Sequence, residues 1–439
     1  MAKAVPGTSS PLSGITPEDG EPAELRAARR ELDEVVGLIR QVPGYEDFLA
    51  APTFADVAAA AERPLCYVTA AEAEGLALVV RGEDVEHVPL PELTAGAVRR
   101  RVSALLDSYQ EFRRLPSDAA WALDLDAVTR WLWDAAMKDV LDAVGEDAFT
   151  VVPGGQLGLL PLHAAWTEDP GTPTGRRHAL DVTTVSYAPN ARSLTAARRI
   201  ARDRPGRALL AVTDPRPMPE GYGPMPFSPL ETMTAVAALP GARTLEGPAA
   251  TADAVREALA GADVLHFACH GRADLDEPLD SALILAGGQP LRLRDLPAMD
   301  LRIRLAILSS CETSLPGTEL PDEVVSLPTG LLQAGAAGVV ASLWEVPDMA
   351  TSLVVIEFYR RWRHGGLTPA AALRDAQRWV RDTTNAEKAA AWERDLATGD
   401  GVPPGEVADL LLDEIAGRDP GARDESGLTA WAGFCHIGV

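Results

Sequence analysis

Two short segments of the sequence each lead into a side chain that can do acid–base or nucleophilic chemistry. The apolar run Val264–Ala268 is followed by His270, and the run Leu305–Leu308 is followed by Cys311. A cysteine thiol has a pKa of about 8.5, so it needs a neighbouring base to react as a thiolate at neutral pH. An imidazole titrates near neutrality and can take that proton and later return it to a leaving amine. The two residues therefore predict nucleophilic attack on an acyl group.

Gly271, directly after the histidine, fits the same chemistry. Without a side chain it leaves its backbone N–H accessible, and with the N–H of Cys311 it could hold the oxyanion formed when a carbonyl is attacked. Ordinary structural explanations also exist: a lone cysteine after a strand is often a small buried apolar side chain. Cys269 and His266 are expected to lie in the core. No metal site is predicted, because neither histidine–cysteine pair has a third ligand at suitable spacing.

The residues around these two segments predict an α/β fold. From Ala148 onward, short apolar runs alternate with helical stretches, which is typical of a parallel sheet covered by helices on both faces. Helix starts are indicated by Thr251 and by Thr368, which precedes a proline. Because the carboxyl ends of parallel strands form one rim, His270 and Cys311 should emerge at the same edge. The predicted strands are Phe149–Pro153, Ala208–Val212, Asp263–Ala268, Ala282–Leu285, Leu305–Ser309 and Val339–Leu343.

The chain before this core divides into a tail and a small α+β region. Residues 1–22 contain too few large apolar side chains to offset the entropy of ordering, and we expect them to be disordered. Residues 23–120 form an N-terminal α+β region whose sequence indicates no chemistry, and residues 121–439 form the main domain. The predicted elements of the N-terminal region are helices over Ala23–Gln41 and Leu93–Phe112, and a β pair of Leu65–Thr69 with Leu76–Arg81. A third helix is predicted over Leu123–Val144, and surface loops over Glu168–Gly175 and Asp214–Pro229.

Composition excludes several classes of partner. The 64 acidic and 40 basic residues give a net charge of −24, which disfavours binding to nucleic acid or to an anionic membrane. No apolar run is long enough to cross a bilayer, and the first twenty residues lack the order of a secretory signal, so a cytoplasmic location is expected. The four cysteines form no Cys-x-x-Cys pair, and nothing in the sequence calls for a cofactor.

The two reactive segments, HFACHG and LSSCET, resemble the core of the CHAT domain, a family of caspase- and separase-like cysteine peptidases found in bacteria. The resemblance extends over most of residues 131–439 and includes further blocks in the same order. These blocks are VVPGGQLGLLPLHAAW, VSYAPNARSL, ALPGARTLEGPAATADAVREAL, LLQAGAAGVVASLWEVPDMATSLVVIEFYRRW and LTAWAGFCHIGV.

The resemblance implies a caspase-like three-layer α/β/α sandwich with a mostly parallel sheet. It also implies a catalytic dyad, with His270 as the base and Cys311 as the nucleophile, and oxyanion donors at the backbones of Gly271 and Cys311. In such peptidases the turn that here reads SLWEVPDMAT helps to build the pocket for the residue before the scissile bond. There Trp344 could form a wall, and Glu345 or Asp348 could pair with a basic substrate side chain.

Two of these positions also have simpler explanations. Ser281 matches a family position beside the cleft, although a hydroxyl at the start of a strand can equally bond the local backbone. Asp348 stands before a helix and would cap it in any case.

The resulting hypothesis is a cysteine endopeptidase that cleaves a protein partner through a thioester acyl-enzyme. The resemblance implies a regulated protease in a bacterial defence or cell-death pathway, with a substrate encoded nearby and an activating partner protein. The main alternative is a latent, non-catalytic caspase-like scaffold that docks a partner. An amidase or acyltransferase acting on a small molecule would use the same chemistry.

Overall fold

The structure is a computed structural model of the 439-residue chain. It describes residues 23–43, 48–50, 52–114, 119–239, 241–274, 277–310, 326–398 and 402–439. The predicted disordered tail, residues 1–22, and the predicted nucleophile Cys311 therefore lie outside the described residues. The chain divides into two compact units, residues 1–57 and residues 58–439.

The described part of the first unit is mainly one helix, α1 (Ala23–Ile39), which ends two residues before the predicted boundary. Beyond it, the Arg40 Nε–H donates to the carbonyl of Phe48 at 2.7 Å. Thr53 and Asp56 then bond each other across one turn, which starts the helix α2 (Phe54–Ala60).

The second unit is built on a large sheet. The strands of the described residues are β1 (Leu65–Thr69), β2 (Gly75–Arg81), β3 (Asp84–Leu90), β4 (Ala148–Pro153), β5 (Trp166–Glu168), β6 (Arg176–His178), β7 (Thr184–Tyr187), β8 (Ala208–Thr213), β9 (Gly241–Glu246), β10 (Val264–Ala268), β11 (His270–Arg272), β12 (Ala282–Ile284), β13 (Pro290–Arg292), β14 (Leu305–Leu308), β15 (Gly338–Ser342) and β16 (Phe434–Gly438). The sheet has the order β3-β2-β1-β4-β7-β16-β15-β14-β10-β8-β9.

The sheet is mostly parallel, as predicted. Among its described strands, neighbours run parallel except in the pairs β1–β2, β2–β3 and β15–β16. Every residue of the central strands β10, β14 and β15 is buried, as expected for apolar runs covered on both faces.

Helices cover both faces of this sheet. One group, α7, α9 and α10, packs on β16, β8 and β15. A second group, α8 and α12, packs on β8, β10, β7 and β16, and α11 packs against α8 and α12. The predicted three-layer α/β/α sandwich is confirmed. The helices are α3 (Ala95–Arg114), α4 (Ala119–Leu132), α5 (Lys138–Val144), α6 (Ala179–Val182), α7 (Ala191–Asp203), α8 (Ser228–Ala238), α9 (Ala252–Leu259), α10 (Leu327–Ala334), α11 (Asp348–Tyr359), α12 (Pro369–Asp382), α13 (Asn385–Thr398), α14 (Gly405–Ile415) and α15 (Leu428–Trp431).

Local sequence signals explain several of these boundaries. Thr251 and Thr368 each accept a hydrogen bond from a backbone N–H in the first turn of the following helix, as predicted. The helix predicted over Leu123–Val144 is α4 and α5 joined by a π-helical turn at Trp133–Met137. The predicted loop Glu168–Gly175 connects the antiparallel pair β5 and β6.

The predicted β pair of the N-terminal region is present and belongs to the main sheet. β1 pairs antiparallel with β2 and parallel with β4, so the strands of residues 65–90 extend the same sheet as the main domain. The domain boundary at residue 120 remains a prediction.

The prediction for one strand is wrong about the sheet to which it belongs. The segment Ala282–Leu285 was expected in the parallel sheet, whereas β12 lies between β11 and β13 in a separate antiparallel sheet. Its three residues are all buried, so its apolar pattern resembles that of a central strand.

Candidate active site

The candidate site lies where two neighbouring parallel strands end. β10 and β14 pair in a register that places Phe267 opposite Leu308. His270 stands three residues after Phe267, and in the sequence Cys311 stands three residues after Leu308. The predicted arrangement of the two strands, side by side with their carboxyl ends at one rim, is therefore present.

The carbonyl of Phe267 ties the ends of the two strands together. It accepts hydrogen bonds from the Ser309 N–H at 3.1 Å, from the Ser309 hydroxyl at 3.1 Å and from the Ser310 hydroxyl at 3.3 Å. On the other side, the Ser342 hydroxyl of β15 donates to the Ser310 carbonyl at 3.0 Å. The end of β14 is thus held from both neighbouring strands up to the residue before Cys311.

His270 begins β11, and a loop residue fixes its ring. Its Nε2 lies 2.8 Å from the carbonyl oxygen of Gly223, and the Tyr222 ring lies 5.0 Å from the imidazole, centroid to centroid. A carbonyl can only accept, so Nε2 must carry the hydrogen of this bond. In a neutral imidazole Nδ1 is then the nitrogen that can accept a proton.

A cleft opens beside His270 and contains about 940 Å³, including space open to solvent. Its walls bring together Gly271, Ser309, the turn after β15 and the loop before α8. Of its charged residues, Glu345 and Asp348 were predicted, whereas Arg113 from α3 was not. The described lining comprises residues 221–225 and 345–348 with Arg113, His270, Gly271, Ser309 and Thr351.

Asp348 does not cap its own helix through its side chain, contrary to the simpler expectation. The N-cap of α11 is Pro347, and the Asp348 Oδ2 instead accepts the backbone N–H of Phe227 at 3.0 Å. Burial raises the pKa of Asp348, while this hydrogen bond and the nearby charge of His270 oppose the rise. The carboxyl group thus belongs to the cleft wall and holds the start of α8.

Glu345 is exposed at the cleft, and its backbone is fixed by a residue of α3. The Glu345 N–H donates to the Tyr109 hydroxyl at 2.8 Å. The Tyr109 ring lies 4.8 Å from that of Trp121, centroid to centroid. The aromatic pair Tyr109 and Trp121 therefore supports the turn that carries Glu345 and Asp348, which together form the acidic wall of the cleft.

Trp344 does not belong to the described cleft lining, so its predicted role as a pocket wall needs correction. The side chain is 2% exposed, packs edge-on against Trp121 at 5.7 Å between ring centroids, and donates its Nε1–H to the Thr429 carbonyl at 3.1 Å. A large ring with its single polar atom satisfied is more stable in the core than at the rim.

Ser281 also lies outside the described cleft lining. Its buried hydroxyl accepts the backbone N–H of Asp274 at 3.0 Å, which is the local role considered for it above. Cys269 and His266 are fully buried, as predicted. Burial raises the pKa of the Cys269 thiol to about 12, so this cysteine remains a thiol.

Several cleft residues were not predicted. Tyr222 and Gly223 lie in the loop Asp214–Pro229, which the sequence predicts to be a surface loop and a candidate lid or exosite without indicating either residue. The sequence predicts Ser309 only as the last residue of its strand, and no pattern in the sequence connects Arg113 to the site. The described residues include no group of three or more His, Cys, Asp and Glu side chains suited to a metal ion. They also include no helix long and apolar enough to cross a membrane.

Comparison with known proteins gives matches of sequence and of fold. The CHAT domain family model matches residues 126–439. The curated proteins called tetratricopeptide repeat protein 28 from Homo sapiens and Mus musculus are 29% and 30% identical to this chain over 248 residues. That stretch is 46% of this chain and 10% of each relative, so the chain spans about a tenth of their length.

The fold is similar to that of separase in the Saccharomyces cerevisiae separase–securin complex. The crystal structure at 3.0 Å resolution matches with a TM-score of 0.55 and 12% identity, over 98% of this chain and 35% of the separase chain. The three-layer sandwich described above is therefore the caspase-like fold.

Proposed function

The chain belongs to the CHAT domain family, and from this premise we propose that it is a cysteine endopeptidase that acts through His270 and Cys311. One observation carries the proposal: β10 and β14 are neighbours in a register that sets Phe267 against Leu308. His270 and Cys311 follow these two residues at equal distances in sequence. The proposal places the thiol beside the imidazole at the rim that opens into the cleft.

The reaction would begin with proton transfer from the Cys311 thiol to Nδ1 of His270. The bond between Gly223 and Nε2 supports this role, because it fixes the tautomer in which Nδ1 accepts. The thiolate then attacks the substrate carbonyl carbon, and a C–S bond forms. Such positioned acid–base catalysis contributes about 10²–10⁴-fold.

The backbone N–H groups of Gly271 and Cys311 would hold the resulting oxyanion, each contributing about 10²–10³-fold. When the intermediate collapses, the C–N bond breaks and His270 returns its proton to the leaving amine, which leaves a thioester on Cys311. Water, deprotonated by His270, then attacks the thioester carbonyl, and the acid product leaves as the thiol re-forms.

The acidic wall of the cleft supports a preference for a basic residue before the scissile bond. Asp348 and Glu345 line the same cleft as His270 and Gly271. A lysine or arginine side chain placed there would form a charge-assisted hydrogen bond, which is stronger than a neutral one. The wider role, a regulated protease of a bacterial defence or cell-death pathway with a partner substrate encoded nearby, rests on the family resemblance.

The decisive experiment compares the intact protein with Cys311→Ala and His270→Ala. Each protein is incubated with the products of neighbouring genes, and fragments are sequenced; in parallel, Cys311 is labelled with iodoacetamide across a range of pH. We expect cleavage by the intact protein alone and fast labelling of Cys311 at neutral pH that His270→Ala slows.

Cys66→Ala is the matched control, because Cys66 is fully buried in β1, away from the cleft. It should change neither cleavage nor labelling. Cleavage by Cys311→Ala, or labelling that is slow below about pH 8 in the intact protein, would refute the peptidase and favour the docking scaffold.

A further inference from the structure

A buried carboxyl group lies directly behind the candidate site. Glu231 of α8 is 0% exposed, and it faces the strands and helix that carry the cleft residues. A carboxyl group in the core is costly unless it is neutral or well bonded. Its position therefore requires a structural or functional explanation.

Glu231 contacts α11 and β10. Its Oε1 lies 2.8 Å from the Ser352 hydroxyl, and its Oε2 lies 3.6 Å from Nε2 of His266. Within the described residues, neither Oε2 nor that Nε2 has a hydrogen-bond partner. Nδ1 of His266 lies 3.2 Å from the Tyr359 hydroxyl. Oε2 of Glu231 and Nε2 of His266 thus face each other slightly beyond hydrogen-bond distance. His266 lies in β10, four residues before His270.

Glu231 also reaches the end of β14. The Ser309 hydroxyl lies beside its carboxyl group, and Ser309 lines the cleft two residues before Cys311. Ser352, which bonds Glu231, also lies 3.2 Å from the carbonyl of Phe227, whose N–H donates to Asp348. One carboxyl group therefore contacts the strand before His270, the strand before Cys311 and the helix that begins with Asp348.

Among the described residues, the groups that face Glu231 give its carboxyl group no positive partner. Burial raises the pKa of Glu231 to about 8, and the hydroxyls of Ser309 and Ser352 oppose this rise, while the charge of Asp348 adds to it. Burial lowers the pKa of His266 to about 3 and raises that of Tyr359. The raised pKa favours the neutral form of Glu231, which can donate as well as accept a hydrogen bond.

We propose that Glu231 is a positioning residue of the candidate active site: its carboxyl group, buried between α11 and the ends of β10 and β14, holds these ends in the arrangement that the dyad requires. This inference rests on the proposed function, because Glu231 acts through His270 and Cys311. An ionised carboxylate can no longer donate, and it places an uncompensated charge between these strands.

The test measures the rate of Cys311 alkylation by iodoacetamide in the full chain from about pH 6 to about pH 9.5. Glu231→Gln keeps the shape and the donor and stays neutral, so its rate should match that of the intact protein within about threefold at pH 7. Above about pH 8, where the intact protein loses the arrangement, the ratio of the Glu231→Gln rate to the intact rate should rise at least about threefold. Glu231→Ala should be slower by about tenfold or more at pH 7.

Glu357→Gln is the control. Glu357, in α11, is another buried carboxyl group, but it contacts Arg361 and Arg360 instead of the residues around Glu231. Its rate ratio should not vary with pH. A flat ratio for Glu231→Gln overturns the proposal even if His270→Ala slows labelling as expected. If His270→Ala has no effect, the proposed function fails and the role of Glu231 falls with it. If Glu231→Ala does not fold, the pH profile of Glu231→Gln decides alone.

Discussion

Three carboxyl groups in or beside the cleft differ in their exposure to solvent. Glu345 is exposed, Asp348 is partly buried, and Glu231 is fully buried. An exposed carboxylate is free to meet a substrate cation, a partly buried one gives a stronger and more directional bond, and a fully buried one without a positive partner favours the neutral form. The same functional group can therefore contribute recognition at two positions and positioning at the third.

Asp348→Asn tests the recognition role. Asparagine retains a carbonyl oxygen for the Phe227 N–H, so the start of α8 should stay in place while the charge is lost. We expect kcat/KM for peptides with arginine before the cut to fall about 10–100-fold, as for the loss of a charge-assisted bond of about 1.5–3 kcal/mol. Peptides with glutamine at that position should change little.

The exposed Asp253 at the start of α9 gives a matched control, and Asp253→Asn should leave both kinds of peptide unaffected. Equal losses for arginine and glutamine peptides in Asp348→Asn would show that the residue supports the fold and does not select substrate. Because burial raises the pKa of Asp348, the preference for arginine should weaken on acidification at a higher pH than an ordinary aspartate would give.

At the residue scale, the sequence identified side chains that follow a strong pattern and missed those that depend on distant contacts. His270 follows an apolar strand, and its position was predictable from that alone. Glu231 is one acidic residue in a short helix, and its burial depends on β10, β14 and α11 closing around it. The family resemblance predicts Trp344 in the pocket because the residue lies in the turn SLWEVPDMAT, but the core space beside Trp121 determines where its ring lies.

At the scale of elements, helix α3 contributes to the cleft although it precedes the residues that match the family. Arg113 lines the cleft, and Tyr109 accepts the N–H of Glu345. Part of the N-terminal region, for which the sequence indicated no chemistry, thus supports the turn that carries the acidic wall.

Tyr109→Phe tests this support. The ring packing against Trp121 remains, while the acceptor for the Glu345 N–H is lost, so the free energy of unfolding should fall by about 0.5–1.5 kcal/mol. Cleavage of peptides with a basic residue should decrease as well, because the turn is less well fixed. Ser108→Ala is the control, since that hydroxyl bonds only the Leu105 carbonyl of the same helix among the contacts described. An unchanged kcat/KM in Tyr109→Phe would show that the bond between Tyr109 of α3 and Glu345 does not contribute to cleavage.

Element prediction succeeded where apolar runs were continuous. β1 was predicted with its observed bounds, and the starts or ends of β8, β10, β14 and β15 differ from prediction by about one residue. β9 (Gly241–Glu246) was missed, because five of its six residues are exposed at the sheet edge and present no apolar pattern. β12 was found but placed in the wrong sheet, since burial alone does not tell which sheet a strand joins.

At the scale of the whole molecule, buried histidines make stability depend on pH. Burial lowers the pKa of His163 and His178 to about 4, and that of His266 and His436 to about 3. Unfolding exposes these rings, which then bind protons below their ordinary pKa of about 6.5. Their stabilising contribution is therefore complete above about pH 6.5 and is lost as the pH falls toward 3–4. The raised pKa of Glu231 acts in the opposite sense, between its ordinary value of 4.5 and about 8.

We expect the melting temperature to fall steeply from about pH 6.5 to about pH 4.5, with each histidine contributing at most about 1.4 kcal/mol per pH unit. His163→Gln should make this dependence shallower, because up to one proton fewer is taken up on unfolding. It should also lower the overall stability, because His163 lies within hydrogen-bond distance of both Tyr187 and the Ala432 carbonyl. The exposed His87→Gln should leave the slope unchanged. If the melting temperatures of the intact protein and His163→Gln change in parallel with pH across this range, the lowered pKa of His163 is contradicted.

The position of β16 has a consequence for how the chain is made. This strand follows all the other described strands in sequence, yet it lies between β7 and β15 and is the element that connects them. Until residues 434–438 emerge from the ribosome, a nascent chain can form the group β3-β2-β1-β4-β7 and the group β15-β14-β10-β8-β9 but cannot join them. The strands that lead to His270 and Cys311 belong to the second group, so the two halves of the sheet can be joined around the candidate site only after residues 434–438 have been made.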